Sequence, residues 1–274
     1  MTAMHSGSLM KILYSDCEET KMHFTAAAET DIGTFKTGNQ DSVLIKHAIY
    51  SGSEVLLAII SDGMGGLSKG ELASAAVIEY FAHWFDTSVS KELEDLNMEV
   101  TGREWSLMLK ELNGRILEYS RKASVSMGTT FTGILFAESE YVIVHVGDSR
   151  AYFLDSAIHQ LTRDQTFIAR ELAKGTMTLS EAEEDPRRNM LLQCVGASKT
   201  VEPRIITGRT QKGTYMLCSD GFRHMNTPEE IRAAFMAEGL TDKDVMHAKA
   251  CSMIEQAKER GEKDNISVIL IKTE

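Results

Sequence analysis

Residues 55–63 read Val55-Leu56-Leu57-Ala58-Ile59-Ile60-Ser61-Asp62-Gly63, so six consecutive apolar residues lead directly into a polar turn. A short apolar run that ends at a turn signal is consistent with a buried β-strand. A carboxylate at the end of such a strand is held rigidly while its head reaches a cleft. The stretch therefore predicts a sheet that presents the Asp62 side chain at one edge.

The same pattern recurs at other aspartates, each in a short polar turn beside a strand-like run. They are Asp41 before 42–45, Asp148 after 141–146, Asp220 after 214–218 and Asp264 before 266–271. A single Asp-Gly is ordinary turn chemistry, but turns alone do not require an acidic residue every time. Converging carboxylates repel one another unless a cation lies between them, and hard oxygen ligands indicate Mg²⁺ or Mn²⁺ rather than zinc.

Composition limits the other possibilities. A chain of 274 residues with 43% hydrophobic content can bury one substantial core or two small ones. No apolar run approaches the roughly 20 residues that cross a bilayer, and no signal peptide is recognisable, so we expect a cytoplasmic protein without a membrane partner. The net charge of −11 argues against nucleic acid as a partner. Residues 1–20 are expected to form a flexible leader.

The cysteines are widely scattered along the chain, at Cys17, Cys194, Cys218 and Cys251. They form no C-x-x-C pair, which argues against structural zinc and a redox dithiol and favours a reducing location. Cys194 and Cys218 lie in apolar contexts and are predicted to be core residues.

Strands and helices arrive in separate groups. Apolar spacing predicts helices over 72–84, 105–119 and 241–260, a polar loop over 86–102, and strands over 129–136, 141–146 and 151–154. Thr227-Pro228-Glu229-Glu230 is a capping box that starts a further helix. Consecutive strands followed by consecutive helices predict an α+β layered fold rather than a βαβ alternation.

Other hydrolytic and phosphoryl-transfer chemistries lack their motifs. The chain has no P-loop and no G-x-S-x-G elbow. The spacing from Cys218 to Arg223 is one residue too short for the C-x₅-R of a cysteine phosphatase. His145 lies in a strand-like run and is interpreted as a core or cleft residue rather than a base. A metal-activated water remains.

In this order, the motifs resemble those of the PPM (type 2C) family of metal-dependent serine/threonine protein phosphatases, in its bacterial branch. They are Thr30-Asp31-Ile32-Gly33 through Asn39-Gln40-Asp41, Ser61-Asp62-Gly63-Met64-Gly65-Gly66, Met127-Gly128-Thr129-Thr130, Val146-Gly147-Asp148-Ser149-Arg150, Ser219-Asp220-Gly221 and Asp264-Asn265. The resemblance implies a single domain over 21–274. It also implies an α+β fold of two antiparallel β-sheets packed as a central sandwich, with helices on both outer faces.

The resemblance also implies a mechanism, in which a water activated between two Mn²⁺ or Mg²⁺ ions attacks phosphoserine or phosphothreonine without a covalent phosphoenzyme. Asp62 would bridge both ions and the Gly63 carbonyl would bind one of them. Asp220 and Asp264 would complete the other shell. Asp41 would act at the first site, directly or through a bound water, and Asp148 with Asp220 matches the place of a weaker third ion.

Two positions depart from the family's pattern. Lys36 stands where an arginine usually binds the substrate phosphate, and lysine offers a point charge instead of a bidentate fork. Lys36 is either a phosphate ligand or a solvated surface residue. Met64 stands where animal members often have a histidine proposed as general acid, and methionine donates no proton. The alternative function is therefore a phosphatase-like regulatory or scaffolding domain with little turnover, for which Lys36 is the warning sign.

Residues 162–199 resemble the family's flap subdomain, and Thr178-Leu179-Ser180-Glu181 is a capping box within it. A long excursion beside a cleft is a usual place for substrate contacts, although an ordinary surface excursion is the alternative. The expected partners are phosphorylated proteins, the substrates of a serine/threonine kinase in the same signalling system. We expect the protein to be a monomer.

Overall fold

The computed structural model describes residues 22–50, 52–64, 69–89 and 96–274, and the predicted leader lies outside this part of the chain. Here ten strands form two five-stranded antiparallel sheets. The strands of the first sheet, in spatial order, are β2 (Asp41–Tyr50), β3 (Ser53–Asp62), β4 (Phe131–Ala137), β5 (Glu140–Val146) and β8 (Arg204–Arg209). Those of the second sheet are β1 (Phe24–Asp31), β10 (Ile266–Thr273), β9 (Gly213–Cys218), β6 (Arg150–Leu154) and β7 (Ile158–Gln160).

Helices lie between these strands along the chain. They are α1 (Gly70–Trp84), α2 (Met98–Ala123), α3 (Phe167–Lys174), α4 (Leu179–Glu184), α5 (Asp220–His224), α6 (Pro228–Phe235) and α7 (Lys243–Glu259). Short π-helical and 3₁₀ turns follow α1 and α6. Within the described ranges, no helix is long and apolar enough to cross a membrane.

The continuous apolar run of β3 follows from burial of both its faces. Leu57 and Ile59 pack beneath α1 and α2, beside residues such as Trp105, in a first outer core. The alternate residues Ala58 and Ile60 point into a second core between the two sheets. Successive side chains of a strand point to opposite faces, so a strand covered on both sides has no polar positions.

A third core lies on the other outer face. There Met246 and Ala250 of α7 pack against Val268 and Leu270 of β10. The layers are therefore helices, sheet, sheet and helices. The predicted α+β sandwich with helices on both outer faces is confirmed.

The prediction of a loop over 86–102 is wrong at both of its ends. Residues 90–95, in its middle, lie outside the part of the chain that the structure describes. A π-helical turn covers Phe85–Val89, and α2 begins at Met98. Asn97 caps α2, because its side chain accepts hydrogen bonds from two backbone N–H groups of the first turn. Gly102 is a poor helix former, so the sequence pattern does not predict a helix here. A Cβ at this position would lie 2.5 Å from Cγ2 of Ile205, so the glycine permits close packing of α2 on β8.

Candidate metal centre

The five aspartates lie at one end of the sandwich. Asp41 opens β2 and stands opposite Asp62, the last residue of β3, in the antiparallel register. Asp148 occupies the turn by which the chain crosses from β5 in one sheet to β6 in the other. Asp220 follows β9, and Asp264 precedes β10. Both sheets therefore direct carboxylates to the same edge.

Hydroxyl and amide side chains fix Asp41 across the gap between the sheets. The Ser267 hydroxyl of β10 donates a hydrogen bond to Oδ2 of Asp41 at 2.6 Å, and it also contacts the Thr30 hydroxyl at 2.8 Å. Asn39 donates to that Thr30 hydroxyl and accepts from the backbone N–H of Asp41. These bonds give the Asn39-Gln40-Asp41 motif a structural purpose, because they hold the carboxylate between two sheets.

The backbone of Asp62 is held by Thr129 and Thr130. The Asp62 N–H donates to the Thr130 hydroxyl at 2.9 Å, and the Asp62 carbonyl accepts from the Thr130 N–H and the Thr129 hydroxyl, each at 2.9 Å. Next along the chain, a Cβ on Gly63 would lie 2.4 Å from the Gln40 carbonyl oxygen, so only glycine fits here. The carboxylate of Asp62 is therefore presented from a backbone with little freedom to move.

Burial and mutual repulsion disfavour the charged state of these carboxylates. Burial raises the pKa of Asp41 and of Asp148 to about 7, and repulsion by neighbouring aspartates adds to this rise. Hydrogen bonds to Asp41 and the Arg223 cation beside Asp148 act in the opposite direction. The same two causes raise the pKa of Asp62 well above its usual range. Four other aspartates contribute to the repulsion at Asp62, namely Asp41, Asp220, Asp148 and Asp264.

Protein cations balance only part of this charge. Arg223 lies 3.5 Å from Asp148, Lys36 lies 2.9 Å from Asp264, and the His224 imidazole lies 3.7 Å from Asp220. Within the described residues, neither Asp41 nor Asp62 has an ion-pair partner. In addition, Oδ1 of Asp220 is buried without a hydrogen-bond partner. An orphaned buried oxygen among repelling carboxylates fits a hard divalent cation such as Mg²⁺ or Mn²⁺.

The structure places the Lys36 ammonium at this cluster. Burial alone lowers the pKa of Lys36, but the hydrogen bond to Asp264 and the charges of Asp62 and Asp220 outweigh burial, so the pKa is raised. Lys36 is thus a full positive charge at the mouth of an acidic site.

Two further residues, Glu262 and His224, contact the aspartate cluster and were not predicted from the sequence. Glu262 is almost fully buried, and one of its oxygens accepts hydrogen bonds from the backbone N–H groups of Lys263 and Asp264. His224 lies between Glu262 and Asp220, at 3.6 and 3.7 Å, and its pKa is raised first by the nearby Glu262 carboxylate. The i, i+4 spacing of Asp220 and His224 on one helix was the available signal.

Residues considered for other chemistry are buried. His145 is inaccessible to solvent, its Nδ1 pairs with the Thr132 hydroxyl at 2.9 Å, and burial lowers its pKa to about 4. Burial likewise raises the pKa of the Cys218 thiol to about 12. Both are core residues, as predicted, and so is Cys194.

The segment 162–199 borders this end of the sandwich through α3 and α4. A pocket of about 360 Å³ separates these helices from the cluster, and its lining includes Asp148, Arg223 and Arg188. Arg187 is engaged within the segment, because it pairs with Asp185 at 2.7 Å and its guanidinium lies 3.9 Å from the ring centre of Phe167. The predicted capping box at Thr178 is present.

Comparison with known proteins adds an independent line of evidence. Residues 35–270 match the family described as Protein phosphatase 2C. The chain is 32% identical over 247 residues to the serine/threonine protein phosphatase PstP of Mycobacterium tuberculosis, covering 89% of this chain and 44% of that protein. It is also 32% identical over 247 residues to the protein phosphatase PhpP of Streptococcus pneumoniae, covering 88% and 94%. The chain thus spans less than half of the first relative and nearly all of the second.

Solved structures agree with these sequences. The serine/threonine phosphatase Stp1 of Staphylococcus aureus superposes with a TM-score of 0.78 at 27% identity, covering 98% of this chain and 99% of that one. The catalytic domain of PstP in complex with two manganese ions superposes with a TM-score of 0.71 at 29% identity, covering 92% and 99%. Sequence motifs, layered fold and acidic edge therefore lead to one assignment, and this chain belongs to the protein phosphatase 2C family.

Proposed function

We propose that this protein is a metal-dependent phosphatase that hydrolyses phosphoserine and phosphothreonine in other proteins. The observation that carries the proposal is the edge at which both sheets direct Asp41, Asp62, Asp148, Asp220 and Asp264 toward one another with too few cations to balance them. One relative, PstP, is named a serine/threonine protein phosphatase, and another, PhpP, a protein phosphatase. The catalytic domain of PstP was solved with two manganese ions. Two Mn²⁺ or Mg²⁺ ions, with a weaker third, fit this donor set.

Each residue has a definite task in this proposal. Asp62 and the Gly63 carbonyl, with Asp41, would hold the first ion. Asp62, Asp220 and Asp264 would hold the second, and Asp148 with Asp220 would hold the third. Bound divalent ions supply an acidified water and neutralise the phosphoryl oxygens. The protein supplies position, because Ser267 fixes the Asp41 carboxylate and Thr129 and Thr130 fix the Asp62 backbone before the substrate arrives. Little reorganisation is therefore needed in the transition state.

Lys36 is proposed to bind the substrate phosphate. Its ammonium already lies among the carboxylates that hold the ions, where a phosphoryl group must also bind. A single charge on a flexible stem attracts phosphate but does not form the two parallel bonds of a guanidinium.

Replacing Lys36 tests that role. We expect Lys36→Ala to raise KM for a phosphopeptide by about tenfold with little change in kcat, because it removes binding shared by the ground and transition states. Lys36→Arg should retain or improve activity. The assays use saturating Mn²⁺, since Lys36 also contacts Asp264. Lys46→Ala, which removes a lysine paired with Asp86, is the control, and unchanged kinetics in Lys36→Ala would make Lys36 a surface residue.

The segment 162–199 is proposed to act as a flap that selects protein substrates without taking part in the chemistry. Arg188 lines the pocket beside Asp148, whereas Arg187 is held by Asp185 and Phe167. Arg188 is therefore the arginine whose charge is available to an acidic substrate.

Alanine at both arginines should lower kcat/KM for an acidic phosphopeptide on the order of tenfold, through lost charge-assisted contacts. Most of the loss should already appear in Arg188→Ala. Turnover of p-nitrophenyl phosphate, which is too small to reach the flap, should barely change, and Lys199→Ala in the same segment serves as control. An equal loss on both substrates would mean that the segment supports the fold or the metal centre.

The setting of the enzyme follows from the same proposal. We infer a single catalytic domain over residues 21–274 that acts as a monomer in the cytoplasm and opposes a serine/threonine kinase. Light scattering would test the monomer, and co-purification with a kinase would test the link to that kinase. A regulatory domain with little turnover would instead bind phosphopeptide and fail to release phosphate from it.

A further inference from the structure

A second group of metal-ligating side chains lies where α7 packs on β1. His247 and Cys251 are four residues apart on α7 and therefore share one face of that helix. Glu29 of β1 meets that face, and its carboxylate contacts Nδ1 of His247. Nε2 of His247 lies 3.9 Å from Sγ of Cys251, and one donor atom from each residue lies within 4.8 Å of the others.

We propose that Glu29, His247 and Cys251 form a binding site for Zn²⁺, separate from the catalytic centre. Imidazole nitrogen, thiolate sulfur and carboxylate oxygen are the three ligand types that zinc accepts. Mg²⁺ and Mn²⁺ prefer oxygen ligands, so a thiolate directs this site away from the ions of the aspartate cluster. The two sites are thus distinguished by their donor chemistry.

The geometry suits a tetrahedral ion. Zinc–nitrogen and zinc–sulfur bonds of about 2.0–2.3 Å place two donors roughly 3.6 Å apart. The Nε2–Sγ separation of 3.9 Å between His247 and Cys251 is close to that spacing. Glu29 contacts the other ring nitrogen, Nδ1, so its carboxylate must rotate toward an ion bound at Nε2, and one donor atom from each residue already lies within 4.8 Å of the others. The His247 side chain is 60% exposed, which leaves a fourth position for water.

The charges around Cys251 also favour a cation. Besides Glu29, the carboxylates of Glu255 and Asp31 act on the thiol, and Lys258 pairs with both of them at 2.8 and 3.3 Å. Burial and these carboxylates raise the pKa of the Cys251 thiol. Zinc binds the thiolate, so this raised pKa works against binding at neutral pH, and zinc binding must release the thiol proton.

Zinc at this site would join α7 to β1, two elements that lead to the catalytic end. β1 is followed by the loop with Lys36, which leads to Asp41 at the start of β2, and α7 is followed by the loop with Asp264. Binding to the folded state alone would stabilise it by mass action. Zinc at this site is therefore expected to affect thermal stability independently of turnover.

Cobalt is a direct probe, because a thiolate ligand gives Co²⁺ a charge-transfer band in the near ultraviolet that oxygen ligands do not give. We expect one equivalent of Co²⁺, added in saturating Mg²⁺, to produce this band, and Zn²⁺ to abolish it by displacement. Cys251→Ser and His247→Ala should lack the band. Cys17→Ser and Asp62→Asn should retain it.

Absence of the band in the wild type, or its survival in Cys251→Ser, would overturn the proposal. Circular dichroism of each metal-free variant checks the fold. As a second measurement, Zn²⁺ should raise the melting temperature of Asp62→Asn by several degrees and leave that of Asp62→Asn/Cys251→Ser unchanged. An equal rise in both proteins would also overturn the proposal. Neither measurement depends on phosphatase activity, so this inference and the proposed function fail independently.

Discussion

Asp62→Asn should lower kcat for p-nitrophenyl phosphate by about 1,000-fold, or roughly 4 kcal/mol in the activation free energy. Asp220→Asn should have a similar effect. Each change replaces a carboxylate that we propose binds metal with a neutral amide while keeping the size of the side chain. Oδ1 of Asp220 is buried without a hydrogen-bond partner, and the charges of four other aspartates repel that of Asp62. Neither carboxylate is therefore explained by a contribution to folding stability.

The matched control is Asp155→Asn. Asp155 also follows a strand in a short polar turn, but it lies beyond Leu154, at the end of β6 opposite to Arg150 and the cluster. The control should retain wild-type kcat, and all three variants should keep the wild-type circular dichroism spectrum. Near-normal kcat in Asp62→Asn or Asp220→Asn would contradict the assignment of these ligands.

The metal-free protein should become more stable as the pH falls from 7.5 to 5.5. Asp41 and Asp148 have folded pKa values of about 7 against an ordinary 3.8, so the folded state binds more protons in this range. Their contribution to stability is fully present below 3.8 and is lost as the pH rises through about 7. Each group should add about 2 kcal/mol by pH 5.5.

His145 acts in the opposite direction. Its folded pKa of about 4 lies below the ordinary 6.5, so protonation of the unfolded state lowers the stability of the protein by about 1 kcal/mol at pH 5.5. The net change should therefore remain an increase. Urea unfolding of chelated protein at pH 7.5 and 5.5 measures it, and Asp41→Asn should show a smaller increase.

The pH dependence of wild-type stability should be compared with and without saturating Mn²⁺. Bound ions favour the charged carboxylates, so the stability of the metal-loaded protein should fall as the pH falls. The same rise toward pH 5.5 with and without Mn²⁺ would show that the aspartates do not bind the ion.

Strands that are buried on both faces were the most predictable part of the fold. The run that includes Ile59 and Ile60 admits no polar residue because helices cover one face and the second sheet covers the other. The start of α2 was less predictable, because Asn97 is recognisable as a cap only once the helix is known. Gly102 is a poor helix former, and it is accommodated because it allows close contact with Ile205.

Some residues of the candidate sites could not be predicted because their contacts join segments that are distant in the sequence. The motif aspartates could be found because each one ends or begins an apolar run. Glu262 lacks such a run, and its relation to His224 arises only when α5 and the loop before β10 meet. Glu29 likewise lies more than 200 residues from His247, so no spacing rule could connect them.

Restoration of activity by metal is the most direct test of the central claim that the aspartate cluster works through bound divalent ions. Wild-type protein is treated with EDTA, freed of the chelator, and assayed on p-nitrophenyl phosphate while Mn²⁺ is added, with Asp62→Asn in parallel. We predict no turnover without metal, recovery of full wild-type activity with Mn²⁺, and no comparable recovery in Asp62→Asn. Full activity of the wild type in excess EDTA would contradict that claim.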